Sequence, residues 1–574
     1  MSISSSEPRL QDRDIVSRWR ENAERYPDRE AIVCWKAGEE PIRWTFKSLY
    51  SRAVELAPGL HALGVQEGHV CGMILSHGPE VYPFYMAVEL AGAIPSMLAQ
   101  PNPRIHPEKY REGLRGMSRR SGLDWILTQE EFRSVIEPLV TESGSLVRGV
   151  ANVEGIVSGA TASSQNHSKG GSRPVLLQHS SGTTGLQKAV VLSHEAVIRH
   201  LENYARAIQL SENDKIVSWL PLYHDMGLIA AFHLPLYHGV TSVQLDPFEW
   251  VVAPVLLLQA LSEERGTVSW LPNFSYNLIA DRLHKDEIAG FDLSRVRLLV
   301  NCSEPIRASS HRELFSKLEP TGLKASAFST CYAMAETTFA ITQAEPGEPP
   351  VVLAVDRKAL KDGFVHLVEE GASDKSSREC VSSGAVIQGC TIEIVDDTGT
   401  ALDEGRVGEI VVRSESMFSG YRNWPEKTAE VFCGDGFLTG DYGFRWKGEF
   451  FITGRKKDLI ILAGKNIYPE DIEDVASAQD GVMPGRVVAC GLEDTKLGTE
   501  KICVIAESGL DKSHHLKMSD SIKAAAARID ITVSEVFIVP PRWLIKSSAG
   551  KPSRKTNKER IEAMILGNGV GRDF

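Results

Sequence analysis

Apolar residues recur along the first two-thirds of the chain in patterns that alternate between a helical and a strand period. From Phe46 to Leu63 they fall at helical spacing behind a hydroxyl cap, Thr45, and Gly64 supplies a stop. His69-Val-Cys-Gly-Met-Ile-Leu75 is an apolar run that predicts a buried strand, and Glu80 to Leu90 returns to the helical spacing. The pair recurs at Val296-Arg-Leu-Leu-Val300, a strand, followed by a polar turn and a helix from about Ser309 to Leu318. Pro174-Val-Leu-Leu-Gln178 and Ala189-Val-Val-Leu192 predict two more buried strands. Repeated strand–helix units of this kind predict an α/β fold with largely parallel sheets. Two stretches break the rhythm. Ser158 to Arg173 reads as an irregular Ser/Gly-rich lead, and Gly371 to Glu379 as a polar loop after the apolar-rich segment Val351 to Leu367. Past Arg455-Lys-Lys-Asp458 the spacing changes to a small α+β pattern, so a domain boundary is expected there.

Length and composition narrow the picture. A chain of 574 residues exceeds what one core supports, so at least two domains are expected. An apolar fraction of 42% and a charged fraction of 24% are those of an ordinary globular protein. A net charge of -12, spread along the chain, argues against a nucleic-acid partner. The nine cysteines (34, 71, 302, 331, 380, 390, 433, 490 and 503) are scattered without a C-x-x-C pair, which suits reduced thiols and neither a zinc site nor a disulfide framework. The N-terminus lacks a basic segment followed by an apolar one, so no secretory signal is read there. The longest apolar runs, such as Trp250 to Leu258, fall far short of the ~18 residues of a membrane span, and a cytoplasmic location is expected.

The candidate chemistry centres on His179-Ser-Ser-Gly-Thr-Thr-Gly-Leu-Gln-Lys-Ala189, between two of the predicted strands. Four hydroxyls, two glycines and a lysine in one turn can aim N–H groups, hydroxyls and an ammonium at phosphate oxygens. It is not a Walker P-loop: Gly182 and Gly185 are too close, and no Ser or Thr follows Lys188. Further segments accompany it in fixed order. They are Trp219-Leu-Pro-Leu-Tyr-His-Asp-Met-Gly227, Phe328-Ser-Thr-Cys-Tyr-Ala-Met-Ala-Glu336 and Phe437-Leu-Thr-Gly-Asp-Tyr442, then Gly454-Arg-Lys-Lys-Asp-Leu-Ile460, Gly464-Lys-Asn-Ile-Tyr-Pro-Glu470 and Lys546-Ser-Ser-Ala-Gly-Lys-Pro-Ser553. Each alone suits a structural loop or a solvated charge.

Together, in this order, they resemble the adenylate-forming superfamily of acyl-CoA synthetases, peptide-synthetase adenylation domains and luciferases, from about Asp14 to Arg560. That resemblance implies an α/β fold: a large N-terminal domain of stacked αβ subdomains with a β-rich subdomain over residues 1–453, a hinge at 454–458, and a small mobile α+β lid over 459–574. It implies ATP and Mg²⁺ as cofactors and activation of a carboxylic acid to an acyl-adenylate. Ser180, Ser181, Gly182, Thr183, Thr184, Gly185 and Lys188 match the loop that wraps the β- and γ-phosphates. Thr184 and Glu336 match residues that hold the nucleotide and its metal; Ser303, Glu304, Pro305, Tyr332, Ala333, Met334 and Ala335 match the rest of the nucleotide site. Asp441 and Arg455 match the ribose-binding pair, Lys551 the lid lysine that bridges ribose, α-phosphate and attacking carboxylate, and Lys457 the hinge. His224, with Trp219, Trp270, Phe274 and Tyr276, is expected beside the acyl group. Gln187 and Ala189 stand where the family has Pro and Gly around the loop lysine, Ala333 where Gly follows the Tyr, and Ala549 where Ser or Thr is common. None of these departures removes a charge.

Several segments look closest to fatty acyl-AMP ligases, which pass the acyl group to an acyl or peptidyl carrier protein. Trp219 to Ile229, Leu271 to Tyr276, Asn301 to Arg307 and Gly454 to Glu473 carry that likeness, with an extra segment from Val351 through Gly363 to Val381–Gly384. In that branch the insertion anchors to the large domain and hinders the pose needed for CoA. Large rings near the acyl tunnel, and a Leu98 to Pro107 segment unlike that branch, leave a medium-chain or aryl acid open. The alternatives are an acyl-CoA synthetase, activation of an unusual acid such as nitrite, and a nucleotide-binding protein without catalysis.

Overall fold

The computed structural model describes residues 14–101, 107–141, 145–156, 170–179, 188–368, 377–462, 465–494, 499–546 and 552–567. The α/β expectation is met, with long parallel sheets in the first half. The largest sheet has nine strands. Its six central strands, Glu30–Trp35, Thr241–Leu245, Lys215–Ser218, Val268–Leu271, Leu298–Asn301 and Phe328–Ala333, are parallel. Antiparallel strands close both edges, Ile42–Thr45 on one side and Ala340–Gln343 with Ala385–Val386 on the other. Parallel strands buried on both faces must read as unbroken apolar runs, which is why they were legible in the sequence.

A second sheet, Ile94–Met97, Val70–Ile74, Trp125–Thr128 and Gly149–Asn152, is wholly parallel. The helix Phe46–Ala62 starts at Thr45, whose hydroxyl accepts the Ser48 N–H while Ser48 returns the bond to the Thr45 N–H. Helices Val81–Leu90 and Ala308–Leu318 also lie where the periodicity placed them. The strand read as Val296–Val300 runs instead from Leu298 to Asn301.

The sheets that follow are antiparallel. Cys390–Val395, Gly408–Ser414, Gly436–Trp446 and Glu449–Arg455 form a meander extended by Phe432–Cys433. One expectation fails in part: the strand Ser377–Val381, paired with Val352–Asp356, takes in the last three residues of the predicted polar loop Gly371–Glu379, while residues 369–376 lie outside the described residues. Of its inward residues Arg378 and Cys380, the first is charged and meets the Tyr468 ring and the Asp471 carboxylate, so the hydrophobic alternation is broken. From Ile460 onward the residues pack into cores of their own around Val487–Asp494, Thr499–Glu507 and Glu535–Val539. Among the described residues no helix is long and apolar enough to cross a membrane.

Candidate active site

Pro174–His179 and Ala189–Ser193 pair antiparallel as a hairpin whose two strands flank the Gly/Ser/Thr segment in sequence. The base of that hairpin is fixed by His179, buried between two hydroxyls. Ser96 Oγ spends its proton on the Leu177 carbonyl, 3.2 Å away, and therefore accepts from Nδ1 at 3.0 Å; Ser121 Oγ donates to Nε2 at 2.9 Å. Burial pushes the imidazole down to about 4, which keeps it neutral. The second strand is also bordered by the segment Ser419 to Arg422. The Val191 N–H donates to the Gly420 carbonyl at 3.1 Å, the Ser419 N–H to Val191 at 2.9 Å, and the Arg422 N–H to Ala189 at 2.9 Å.

That docking carries Tyr421 under Lys188. The Lys188 ammonium donates to the Tyr421 hydroxyl at 3.1 Å and sits 4.4 Å from its ring centroid. The hydroxyl in turn donates to Glu336 Oε1 at 2.7 Å. Burial lowers the Lys188 pKa, and the Glu336 charge works against that shift. Burial followed by the Glu336 carboxylate raises the Tyr421 phenol, which stays protonated and donating. An ammonium and a carboxylate are thus held apart by one hydroxyl, each still able to turn to an incoming group.

Glu336 lies in a short 3₁₀ turn, Ala335–Thr337, at the end of the strand Phe328–Ala333. The next residue, Thr338, holds φ at +72°, unusual for a β-branched side chain, with its hydroxyl on the Ser416 carbonyl at 2.9 Å. Four residues before Glu336, the Tyr332 hydroxyl donates to Asp441 Oδ2 at 2.6 Å. Asp441 Oδ1 meets Arg455 Nε at 3.3 Å, and the two residues are register partners on adjacent strands. The Asp441 charge, ahead of an opposing desolvation, raises the Arg455 pKa. Lys457, in the turn Lys456–Asp458, is pushed down by burial and then by Arg455, with Lys188 adding to the effect. The sequence-predicted Lys188, Glu336, Tyr332, Asp441, Arg455 and Lys457 therefore share one electrostatic neighbourhood.

His224 begins a third wall. Its Nδ1 lies 2.8 Å from Asp225 Oδ1, which also accepts the Met226 N–H at 2.8 Å. A stretch of π-helix, Met226–His233, follows. Gly227 is required there, because a Cβ would lie 2.3 Å from the Pro221 carbonyl oxygen. Ser303, in the Ser-Glu-Pro segment, holds φ at +66°, and Glu304 accepts the Phe274 N–H at 2.8 Å. Pro305 is exposed, and Ala333, Met334 and Ala335 line the strand end beside Tyr332. Phe274 meets Trp219 edge-on, at 6.0 Å between ring centroids. Tyr276 does not join them. Two positions on along the helix Asn273–Arg282, it turns to the opposite face, donates to the Leu299 carbonyl at 3.0 Å and packs on His311 and Phe328. Trp270 is fully buried, its indole donating to the Tyr204 hydroxyl at 2.9 Å.

Ser180, Ser181, Gly182, Thr183, Thr184, Gly185 and Lys551 lie outside the described residues. The stem that carries Lys551 is described. The Ile545 N–H donates to Asn557 Oδ1 at 2.8 Å, and Asn557 Nδ2 donates to the Ile545 and Ser553 carbonyls at 2.9 and 2.8 Å. Arg554 then grips Glu473 at 2.6 Å, Glu470 at 2.8 Å and Asp458 at 2.9 Å. The inserted segment bridges both lobes. Leu360, Val365 and Cys380 pack with Phe444 and Phe451, Arg312 forks onto Glu379 at 2.9 Å, and Arg357 and Arg378 both reach Asp471 at 3.4 Å.

Sequence reasoning missed Tyr421, Asp225 and Trp250. Tyr421 sits in Ser419-Gly-Tyr-Arg-Asn-Trp-Pro425, whose aromatic residues between Gly and Pro were the available signal.

Comparison with known proteins agrees with this geometry. The AMP-binding enzyme family matches residues 19–422. The chain is 30% identical to a 4-hydroxyphenylalkanoate adenylyltransferase of Mycobacterium tuberculosis, across 89% of this chain and 88% of that protein. It is 28% identical to the long-chain-fatty-acid–AMP ligase FadD26 of Mycobacterium marinum, across 96% and 98%. A solved structure from a study of fatty acyl-adenylate ligases from E. coli and L. pneumophila superposes with a TM-score of 0.87 at 24% identity, covering 97% of this chain and 99% of that one, which shows a shared fold. Matched by its family model over residues 19–422 and 30% identical to a relative along most of both chains, this chain belongs to the AMP-binding enzyme family of adenylate-forming ligases.

Proposed function

We propose that the chain activates a carboxylic acid with ATP and passes the acyl group to a carrier-protein thiol. A carboxylate oxygen attacks the α-phosphorus, the bond to the bridging oxygen breaks, and its electron pair leaves with pyrophosphate. No proton need move in this step. Both reactants are anions, so the work of the site is positioning and charge neutralisation. The Lys188–Tyr421–Glu336 chain carries this reading: a desolvated ammonium and a carboxylate sit ready at the root of a Gly/Ser/Thr loop. Lys188 would neutralise the phosphates as they arrive.

One Glu336 oxygen is held by Tyr421, and the other has no hydrogen-bond partner among the described residues, a donor set that suits a hard dication. Among the described residues no group of three or more His, Cys, Asp or Glu could hold a metal ion. Mg²⁺ would be held by Glu336, Thr184 and the triphosphate, and would supply charge neutralisation there. Asp441 and Arg455 offer the ribose hydroxyls an acceptor and a donor on adjacent strands, and Tyr332 fixes the rotamer of Asp441. Lys551, on a stem braced by Asn557 and Arg554, would meet the carboxylate and α-phosphate. Carrier delivery is supported by the inserted segment, whose arginines tie Asp471 of the C-terminal lobe to the large lobe.

The test is acid-dependent exchange of labelled pyrophosphate into ATP, with fatty, aryl and amino acids plus nitrite. Exchange that Lys551→Ala abolishes, with the melting temperature unchanged, is expected. Full exchange in that variant would overturn the mechanism, and free acyl-CoA accumulating when CoA is added would overturn the carrier assignment.

A further inference from the structure

Trp219 and Trp250 lie face to face, with ring centroids 3.8 Å apart and planes 8° from parallel. Phe274 closes on both edge-on, at 6.0 and 6.3 Å. Trp219 is 4% exposed, Trp250 0% and Phe274 36%, so the pair is sealed and the phenyl ring forms its rim. The catalytic segments place this trio. Trp219 leads into the turn that presents His224, the Phe274 backbone is pinned by Glu304 at 2.8 Å, and Trp250 comes from the helix Pro247–Val252, capped by Asp246. The neighbouring floor is filled as well. Met226 Sδ lies 3.0 Å from Cys302 Sγ, and Trp270, Tyr204, His200 and Phe339 form one buried aromatic group behind it. Aromatic rings thus fill the space around the segment that leads into His224.

Resting on the adenylation reading above, we infer that the Trp219–Trp250–Phe274 stack closes the acyl site to long chains and selects a compact carboxylic acid, short-chain or single-ring. Trp250 sets the limit. Each stacked ring buries about 150–250 Å², and that packing would have to be surrendered for a long alkyl chain to pass.

Pyrophosphate exchange tests this with butyrate, benzoate and 4-hydroxybenzoate against octanoate and dodecanoate. Wild-type protein is expected to favour one of the compact acids over dodecanoate by at least 10-fold in kcat/KM. Trp250→Ala should raise kcat/KM for dodecanoate at least 10-fold and leave KM for ATP unchanged. Trp250→Phe, which keeps a ring in the stack, gives an intermediate profile and guards against a failure to fold, with melting curves for all three proteins. A wild-type preference for dodecanoate, or an unchanged chain-length profile in folded Trp250→Ala, would overturn the inference while leaving adenylation intact. Exchange with no acid at all would overturn the adenylation reading, and this inference with it.

Discussion

Removing one oxygen, in Tyr421→Phe, isolates the hydroxyl that separates Lys188 from Glu336. The ring stays, and with it the cation–π contact at 4.4 Å. Two hydrogen bonds to charged groups are lost, one at 3.1 Å to the ammonium and one at 2.7 Å to the carboxylate. Hydrogen bonds to charged groups contribute roughly 1.5–3 kcal/mol. Part of that returns, because freed Lys188 and Glu336 can approach each other or take up water. A net loss of about 1.5–3 kcal/mol in the organisation of the phosphate site corresponds to roughly 10- to 100-fold in kcat/KM. Tyr421→Leu removes the ring as well and should cost about 0.5–1 kcal/mol more. The assay is pyrophosphate exchange across a range of ATP concentrations at saturating acid, alongside melting curves. The loss should fall on kcat/KM for ATP, with KM for the acid nearly constant. Folded Tyr421→Phe within about twofold of wild type would show that the bridge organises nothing the reaction uses.

Other expectations follow from the same geometry. The folded pKa of His179, about 4, lies below the ~6.5 of a free imidazole, so the unfolded chain binds more protons between those values. Its contribution is complete above pH ~6.5 and is lost as pH falls towards 4, about 2 kcal/mol of it by pH 5. Urea unfolding at pH 7 and pH 5 should show a decrease that His179→Gln reduces; equal pH dependence in both proteins would refute the buried-imidazole account. Arg554→Met leaves Asp458, Glu470 and Glu473 facing one another without their cation, which should cost about 3–5 kcal/mol and lower the melting temperature of the C-terminal lobe. An unchanged calorimetric profile would remove Arg554 from the stem of the Lys551 loop.

What the sequence determined by itself was local. The parallel strands showed as apolar runs because both of their faces are buried, and the helix at Phe46 announced itself through the Thr45 cap and the Gly64 stop. Lys188, Glu336, Asp441 and Arg455 were singled out by the order of the segments that carry them, and the fold brings them into one neighbourhood. The tertiary structure decided what depends on distant segments meeting. Tyr421 reaches Lys188, 233 positions away, only because Ser419 to Arg422 borders the hairpin strand. Tyr276 turned from Phe274 because two helical steps rotate a side chain by about 200°, and the strand at Ser377 was hidden because one of its inward residues is an arginine satisfied by Asp471. Trp250 acquires its meaning only from a stacking partner on another element. Periodicity reports which side of an element is buried; which residue buries it is settled by packing alone.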